Sequence, residues 1–265
     1  MSGAPDAETV ARRLRDAGCV FAEDEAAFIL AQAQTPEEVS ALVVARAGGR
    51  PLEQVLGWAE LAGVRVTVAP GVFVPRRRSA LLVAEAVSHA RTLDHEPVVV
   101  LDLCCGTGAL AVAVTTHLRA AGRRTEVVAA DLDPAAVACA RSNLPPPARV
   151  LVSDLDAELP DDLRGRVDVL VANVPYVPTG ALPLMPREAR EHEPQRALDG
   201  GGDGLAVLRR LVAGAPAWLG PGGAVLVETS SAQVAQARAA TRRAGLTARV
   251  AHDEDLEATV VIGAR

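Results

Sequence analysis

Lysine is absent from this chain, and aromatic residues nearly so, with one tyrosine, three phenylalanines and two tryptophans among 265 residues. Positive charge therefore rests on arginine alone, 27 residues against 33 carboxylates, and the net charge is −6. A chain of that sign is not expected to coat nucleic acid, because phosphate neutralisation supplies most non-specific affinity. Only Arg76, Arg77 and Arg78 cluster; they suit an acidic partner or a ligand carboxylate as well as a solvated approach to a helix. The four cysteines, Cys19, Cys104, Cys105 and Cys139, show no metal-ligand spacing, so no metal is expected and reduced thiols are the natural reading. There is no leader-like segment and no uninterrupted apolar run long enough to span a bilayer, which points to the cytoplasm. With aromatics so scarce, the core has to be built from Val, Leu and Ala. A hydrophobic content of 49% suffices for a full core and a small second domain.

What is present is a nucleotide-binding layout. Residues 98–103 read as an apolar strand, Cys104-Cys105-Gly106-Thr107-Gly108 as a small-residue turn, and 109–118 as a helix. Gly106 and Gly108 permit a tight turn that brings backbone N–H groups close to a ligand, and the helix N-terminus favours negative charge. Small side chains are required in this turn, which accounts for Cys104-Cys105 more simply than a redox pair does. A second strand, 126–131, ends in Asp131, a carboxylate placed where a ribose diol would sit. Asp133-Pro134 then caps and opens the next helix. Ser153-Asp154-Leu155 follows a third strand and suits an adenine. NAD and S-adenosylmethionine both fit as far as Asp133-Pro134, and the 153–155 segment begins to favour the latter.

The fourth strand decides between them, because it ends in Val171-Ala172-Asn173-Val174-Pro175-Tyr176. Asn173 offers a side-chain acceptor. Pro175 holds Val174 extended and so aims its carbonyl, and Tyr176 supplies a flat face. Two fixed acceptors can bind both hydrogens of a planar nitrogen and hold it in line with an electrophilic methyl group. The pattern favours S-adenosylmethionine and methyl transfer to an amide or exocyclic amino group.

With these residues in place the chain resembles the HemK-type protein-(glutamine-N5) methyltransferases. Their Asn-Pro-Pro-Tyr signature stands here as Asn173-Val174-Pro175-Tyr176, and further similar segments are 50–57, 73–76, 193–198 and 199–205. The resemblance implies an α/β class I S-adenosylmethionine-dependent methyltransferase with a mainly parallel seven-stranded sheet and a C-terminal antiparallel hairpin. It implies a helical substrate-recognition domain at 1–70, a hairpin linker at 62–75 and a catalytic domain at 76–265. The implied reaction is methylation of a glutamine side-chain amide in a release factor or ribosomal protein. Asn173, Val174, Pro175 and Tyr176 become the expected catalytic residues. Phe73, Pro75, Asp102, Cys104, Gly106, Gly108, Asp131, Leu132, Asp154, Leu155 and Asn173 become the expected cofactor residues. Cys104 stands where the family usually has glycine, Val174 where it has proline, and Ser79-Ala80 where an acidic or threonine-bearing helix start is usual.

The residues keep other readings open: a different planar nitrogen such as an adenine or a small-molecule amide, or a cofactor-binding paralogue without turnover. Along the chain, helical patterns cover 7–17, 24–33 and 36–47, with Thr35-Pro36 as a helix start. Residues 64–68 and 72–74 suggest a hairpin between the halves, and 247–252 with 259–262 a closing one. The segment 178–199 has no clean period and reads as a lid or substrate loop, with His192 on its surface.

Overall fold

The structure is a computed structural model and describes residues 6–265. Its first unit is helical. Helix α1 (Ala7–Asp16) is capped by Asp6, whose carboxylate accepts from the Thr9 N–H at 2.8 Å. Helix α2 (Ala22–Gln32) follows, and α3 (Pro36–Ala47) starts as expected at Thr35, whose hydroxyl accepts from the Glu38 N–H. Val10, Leu14, Ile29, Val39 and Val43 close a separate small core. Helix α4 (Leu52–Leu56) was not legible, since five residues are too few to show a period.

The linking hairpin pairs β1 (Trp58–Leu61) with β2 (Val64–Thr67), one strand earlier than the sequence suggested. The reason is the turn: Ala62 (φ 50°) and Gly63 (φ 76°) both lie in the left-handed region, as a two-residue hairpin turn demands. Residues 72–74 instead run extended, with Val72 and Val74 buried.

After α5 (Ala80–Arg91), strands and helices alternate: β3 (Val98–Leu103), α6 (Ala109–Ala120), β4 (Thr125–Asp131), α7 (Pro134–Asn143), β5 (Arg149–Val152) and β6 (Val167–Ala172). The short helix α8 (Arg187–His192), then α9 (Ala206–Trp218), β7 (Leu219–Glu228), α10 (Val234–Arg243), β8 (Thr247–Asp253) and β9 (Ala258–Ala264) complete the chain. The seven-stranded sheet runs β5-β4-β3-β6-β7-β9-β8, parallel as far as β7 and antiparallel where β9 enters between β7 and β8. Every residue of β3 and β6 is buried, which is why these strands read as continuous apolar runs. Alternate side chains go to opposite faces. Val98, Val100 and Val169 pack under α5 and α6, while Leu101, Leu103 and Leu170 join Leu208, Val212 and Ala237 of α9 and α10. Among the described residues no helix is long and apolar enough to cross a membrane.

Candidate active site

Strand β3 lies between β4 and β6, so the connections leaving its two neighbours diverge and open a crevice at the carboxyl ends of the strands. A cavity of about 1080 Å³ fills that crevice. Its floor is the turn after β3. Cys104 (φ 57°), Gly106 (φ 55°) and Gly108 (φ 77°) all take left-handed conformations, and the Cys105 N–H donates to the Ala130 carbonyl. Asp131 clamps this floor to the next strand, its carboxylate accepting from the Gly106 N–H at 2.8 Å and from the Asp133 N–H at 2.9 Å. Burial raises the Asp131 pKa against the pull of those two N–H groups.

Phe73, Pro75, Cys104, Gly106, Asp131, Leu132, Asp154, Leu155, Asn173 and Pro175 all line the cavity. Leu132 stands 54% exposed at its edge, and Asp154 is ion-paired with Arg210 at 2.9 Å. Asp102 and Gly108 do not line it. Gly108 caps α6, and a Cβ there would come within 3.0 Å of Leu144 and 3.3 Å of Ala140, so its place is in the packing of the turn on α7. Asp102 lies fully buried beneath the turn. Its Oδ2 accepts from the Ala111 N–H at 3.1 Å and its Oδ1 has no partner among the described residues. Burial, against the Ala111 N–H, pushes its pKa up to about 8.

Val174 and Tyr176 belong to a second, smaller cavity of about 320 Å³, and Phe73, Asn173 and Ala197 line both. Asn173 thus stands at the junction. Its Nδ2 donates to the Ser79 hydroxyl at 3.4 Å, and Ser79 donates to Glu228 Oε2 at 2.6 Å. Glu228 also accepts from Arg78 at 3.1 Å and from the Tyr176 hydroxyl at 3.3 Å. Burial, with the nearby Glu228 charge, raises the Tyr176 pKa. Behind Tyr176, its carbonyl accepts from Gln233 Nε2, and Gly204 (φ 77°) packs so closely on that carbonyl that a side chain has no room.

Glu228 and Arg210 escaped the sequence reading, and Ser79 and Arg196 entered it only as a helix-start departure and part of a similar segment, with no place in the site. Glu228 did leave a signal, a carboxylate closing an apolar strand as Asp131 does. The arginine triplet is corrected: Arg76 pairs with Glu193 at 2.6 Å and Arg78 with Glu228, both glutamates buried, so two of the three answer charges inside the fold. His192 is corrected too. It is half-buried, with Nε2 enclosed and unpartnered among the described residues. The segment 178–199 holds α8 and short helical turns, held by side-chain ties that leave no sequence period. Glu188 pairs with Arg46, the His192 carbonyl accepts from Gln54, and Arg196 reaches Asp133 at 3.4 Å, both lining the larger cavity.

A family described as a methyltransferase domain matches residues 100–192, the stretch that carries the cavity floor and Asn173. The release factor glutamine methyltransferase of Mycolicibacterium smegmatis is 40% identical over 210 residues, 76% of this chain and 72% of that protein. A Streptomyces pristinaespiralis protein named 4-amino-L-phenylalanine/4-methylamino-L-phenylalanine methyltransferase is 36% identical, over 74% of this chain and 66% of its own. Among solved structures, the Thermus thermophilus 16S rRNA N2 G1207 methyltransferase superposes with a TM-score of 0.54 at 24% identity, covering 78% of this chain and 49% of that one. This last likeness concerns the fold.

Proposed function

The chain belongs to the release factor glutamine methyltransferase family and is an S-adenosylmethionine-dependent methyltransferase, and on that premise we propose that it methylates a glutamine side-chain amide of a release factor. The observation that carries the substrate reading is Asn173 at the junction of the two cavities, with its amide oxygen bonded to no protein donor among the described residues.

The residues fit the cofactor. The cavity has a floor of left-handed turn residues, the Asp131 carboxylate on its wall, and an exposed leucine at its edge. Asp131 would accept from a ribose diol, Asp154 and Leu155 would meet the adenine with Leu132 against it, and the turn at Gly106 would present its backbone. When bound, S-adenosylmethionine supplies an electrophilic methyl group on a sulfonium. Asn173 Oδ1 and the Val174 carbonyl would each accept one N–H of the glutamine amide, fixing the nitrogen in line and stabilising the positive charge that grows on it. Phe73 and Tyr176 wall the slot. The nitrogen loses its proton after the new bond forms, so no strong base is required, and no histidine lines either cavity among the described residues.

The partner in this reading is a protein, met in the cytoplasm. The helical unit reads the protein around the glutamine, and 76–265 carry the chemistry. That unit has its own small core, and Arg46 joins it to α8 beside the slot. The test is incubation of release factors and ribosomal proteins with the enzyme and methyl-labelled S-adenosylmethionine, followed by peptide mass spectrometry. One methyl on a release-factor glutamine is expected. No methyl on any release-factor glutamine, or label found only on ribosomal proteins, would overturn the substrate reading.

A further inference from the structure

A carboxamide has an accepting end and a donating end, and the way Asn173 faces decides whether it can receive a substrate N–H at all. Three side chains from distant parts of the sequence fix that direction. Glu228, 1% exposed at the end of β7 and ion-paired with Arg78, presents a carboxylate that only accepts. Its Oε2 takes the one hydrogen of the Ser79 hydroxyl, at 2.6 Å. Ser79 then has only lone pairs left for Asn173, at 3.4 Å, so Nδ2 must turn toward Ser79 and Oδ1 away from it. The other arm of Glu228 acts on the opposite wall, because Oε1 accepts from the Tyr176 hydroxyl at 3.3 Å while the Arg78 guanidinium lies 5.7 Å from the centre of the Tyr176 ring.

We infer that Glu228 is a positioning residue for methyl transfer: through Ser79 it sets the polarity of the Asn173 amide, and through the Tyr176 hydroxyl it holds the aromatic wall facing it. The inference rests on the reading of Asn173 as an acceptor for the reacting nitrogen. Glu228 touches neither ligand cavity, and its effect is exerted through its neighbours.

The relay makes an unusual demand on an isosteric change. In Glu228→Gln the new amide oxygen is drawn to Arg78, which leaves its NH₂ facing Ser79. Ser79 must then accept from that NH₂ and turn its hydrogen on Asn173, which draws Oδ1 of Asn173 inward and presents the wrong end to the substrate. Ser79→Ala only releases the amide, without inverting it.

The experiment is single-turnover kinetics with a bacterial release factor, together with calorimetric binding of S-adenosylmethionine, for Glu228→Gln, Ser79→Ala, Asn173→Ala and the doubles with Asn173→Ala. Glu228→Gln should slow the transfer step by about 10- to 100-fold, the scale of a misplaced reacting group, and Ser79→Ala by less. Cofactor affinity should hold in Glu228→Gln, because Glu228 lines neither cavity. Neither Glu228→Gln nor Ser79→Ala should slow Asn173→Ala further, since the amide they orient is gone and a glutamine oxygen at position 228 still accepts from the Tyr176 hydroxyl. A general structural role predicts the opposite, an equal factor on either background, and that result would overturn the relay. So would a wild-type rate in Glu228→Gln. If Asn173→Ala itself reacts at the wild-type rate, the acceptor reading fails first and takes the relay with it.

Discussion

The two halves of the crevice are built by different means. The half we assign to the cofactor is made by two consecutive strand ends: the turn at 104–108, then Asp131, 25 positions on, clamping Gly106, and Asp133 capping the next helix. It is tied through backbone N–H groups and carries strain, with Cys104 (φ 57°) and Leu155 (φ 54°) in a region L-residues avoid. The acceptor half has no left-handed residue between 173 and 176, and is held by side chains from far apart, Ser79 to Asn173 across 94 positions and Ser79 to Glu228 across 149. One half is a conformation imposed on a short peptide. The other is a network that exists only when the sheet brings three segments together.

If that division is right, substitutions in the two halves should fail in different measurements. The largest effect is expected at Asn173→Ala, which removes one of two acceptors and should lower turnover by about 100-fold or more, with cofactor affinity unchanged in calorimetry. Loss of both together would blur the boundary between the halves. Asp131→Ala should do the reverse, weakening S-adenosylmethionine binding by about 1.5–3 kcal/mol, or roughly 10- to 150-fold, because an acceptor and the clamp on Gly106 go together. An unaltered dissociation constant would remove Asp131 from the cofactor site.

Asp102 sharpens the comparison through pH. Its folded pKa, about 8, lies above the ordinary carboxyl value of 3.8, so the folded protein holds a proton there that the unfolded chain has released. The stability tied to that proton is complete below about pH 4 and is lost as pH rises toward about 8. Asp102→Asn should therefore unfold at a higher temperature than the parent at pH 8, by on the order of 1–2 kcal/mol of stability, with the gap closing toward pH 4. A gap that is the same at both ends of the range would show that burial of this charge is not the cost. The smallest effect is at Cys104→Gly. Relief of the left-handed strain outweighs the extra freedom of glycine in the unfolded chain by about 0.5 kcal/mol, read as a rise in the urea midpoint. A lower midpoint would mean that the thiol's packing matters more than its backbone.

The same division explains what the sequence made legible. Strands β3, β4 and β6, the helix starts at Thr35 and Asp133, and the turn at 104–108 announce themselves because their signals are local: an apolar run, a cap, a pair of glycines. The place of Glu228 and Ser79 in the site was missed because nothing beside them in the chain says what they touch. Arg76 and Arg78 read as surface charge for the same reason, their partners Glu193 and Glu228 lying 117 and 150 positions away. The hairpin was displaced by one strand because Ala62, with no turn preference of its own, occupies a left-handed turn position that the alternating valines around it obscured.

The segment from Glu188 to Asp199 is fastened to three bodies: the helical unit through Arg46 and through Gln54 of α4, the Phe73 stretch through Arg76 and the Val74 N–H, and the cap of α7 through Asp133. In mechanical terms it is a rope made fast at several cleats, and slackening one leaves it taut. With Arg46 cut away, Gln54, Arg76, the Val74 N–H and Asp133 still hold it.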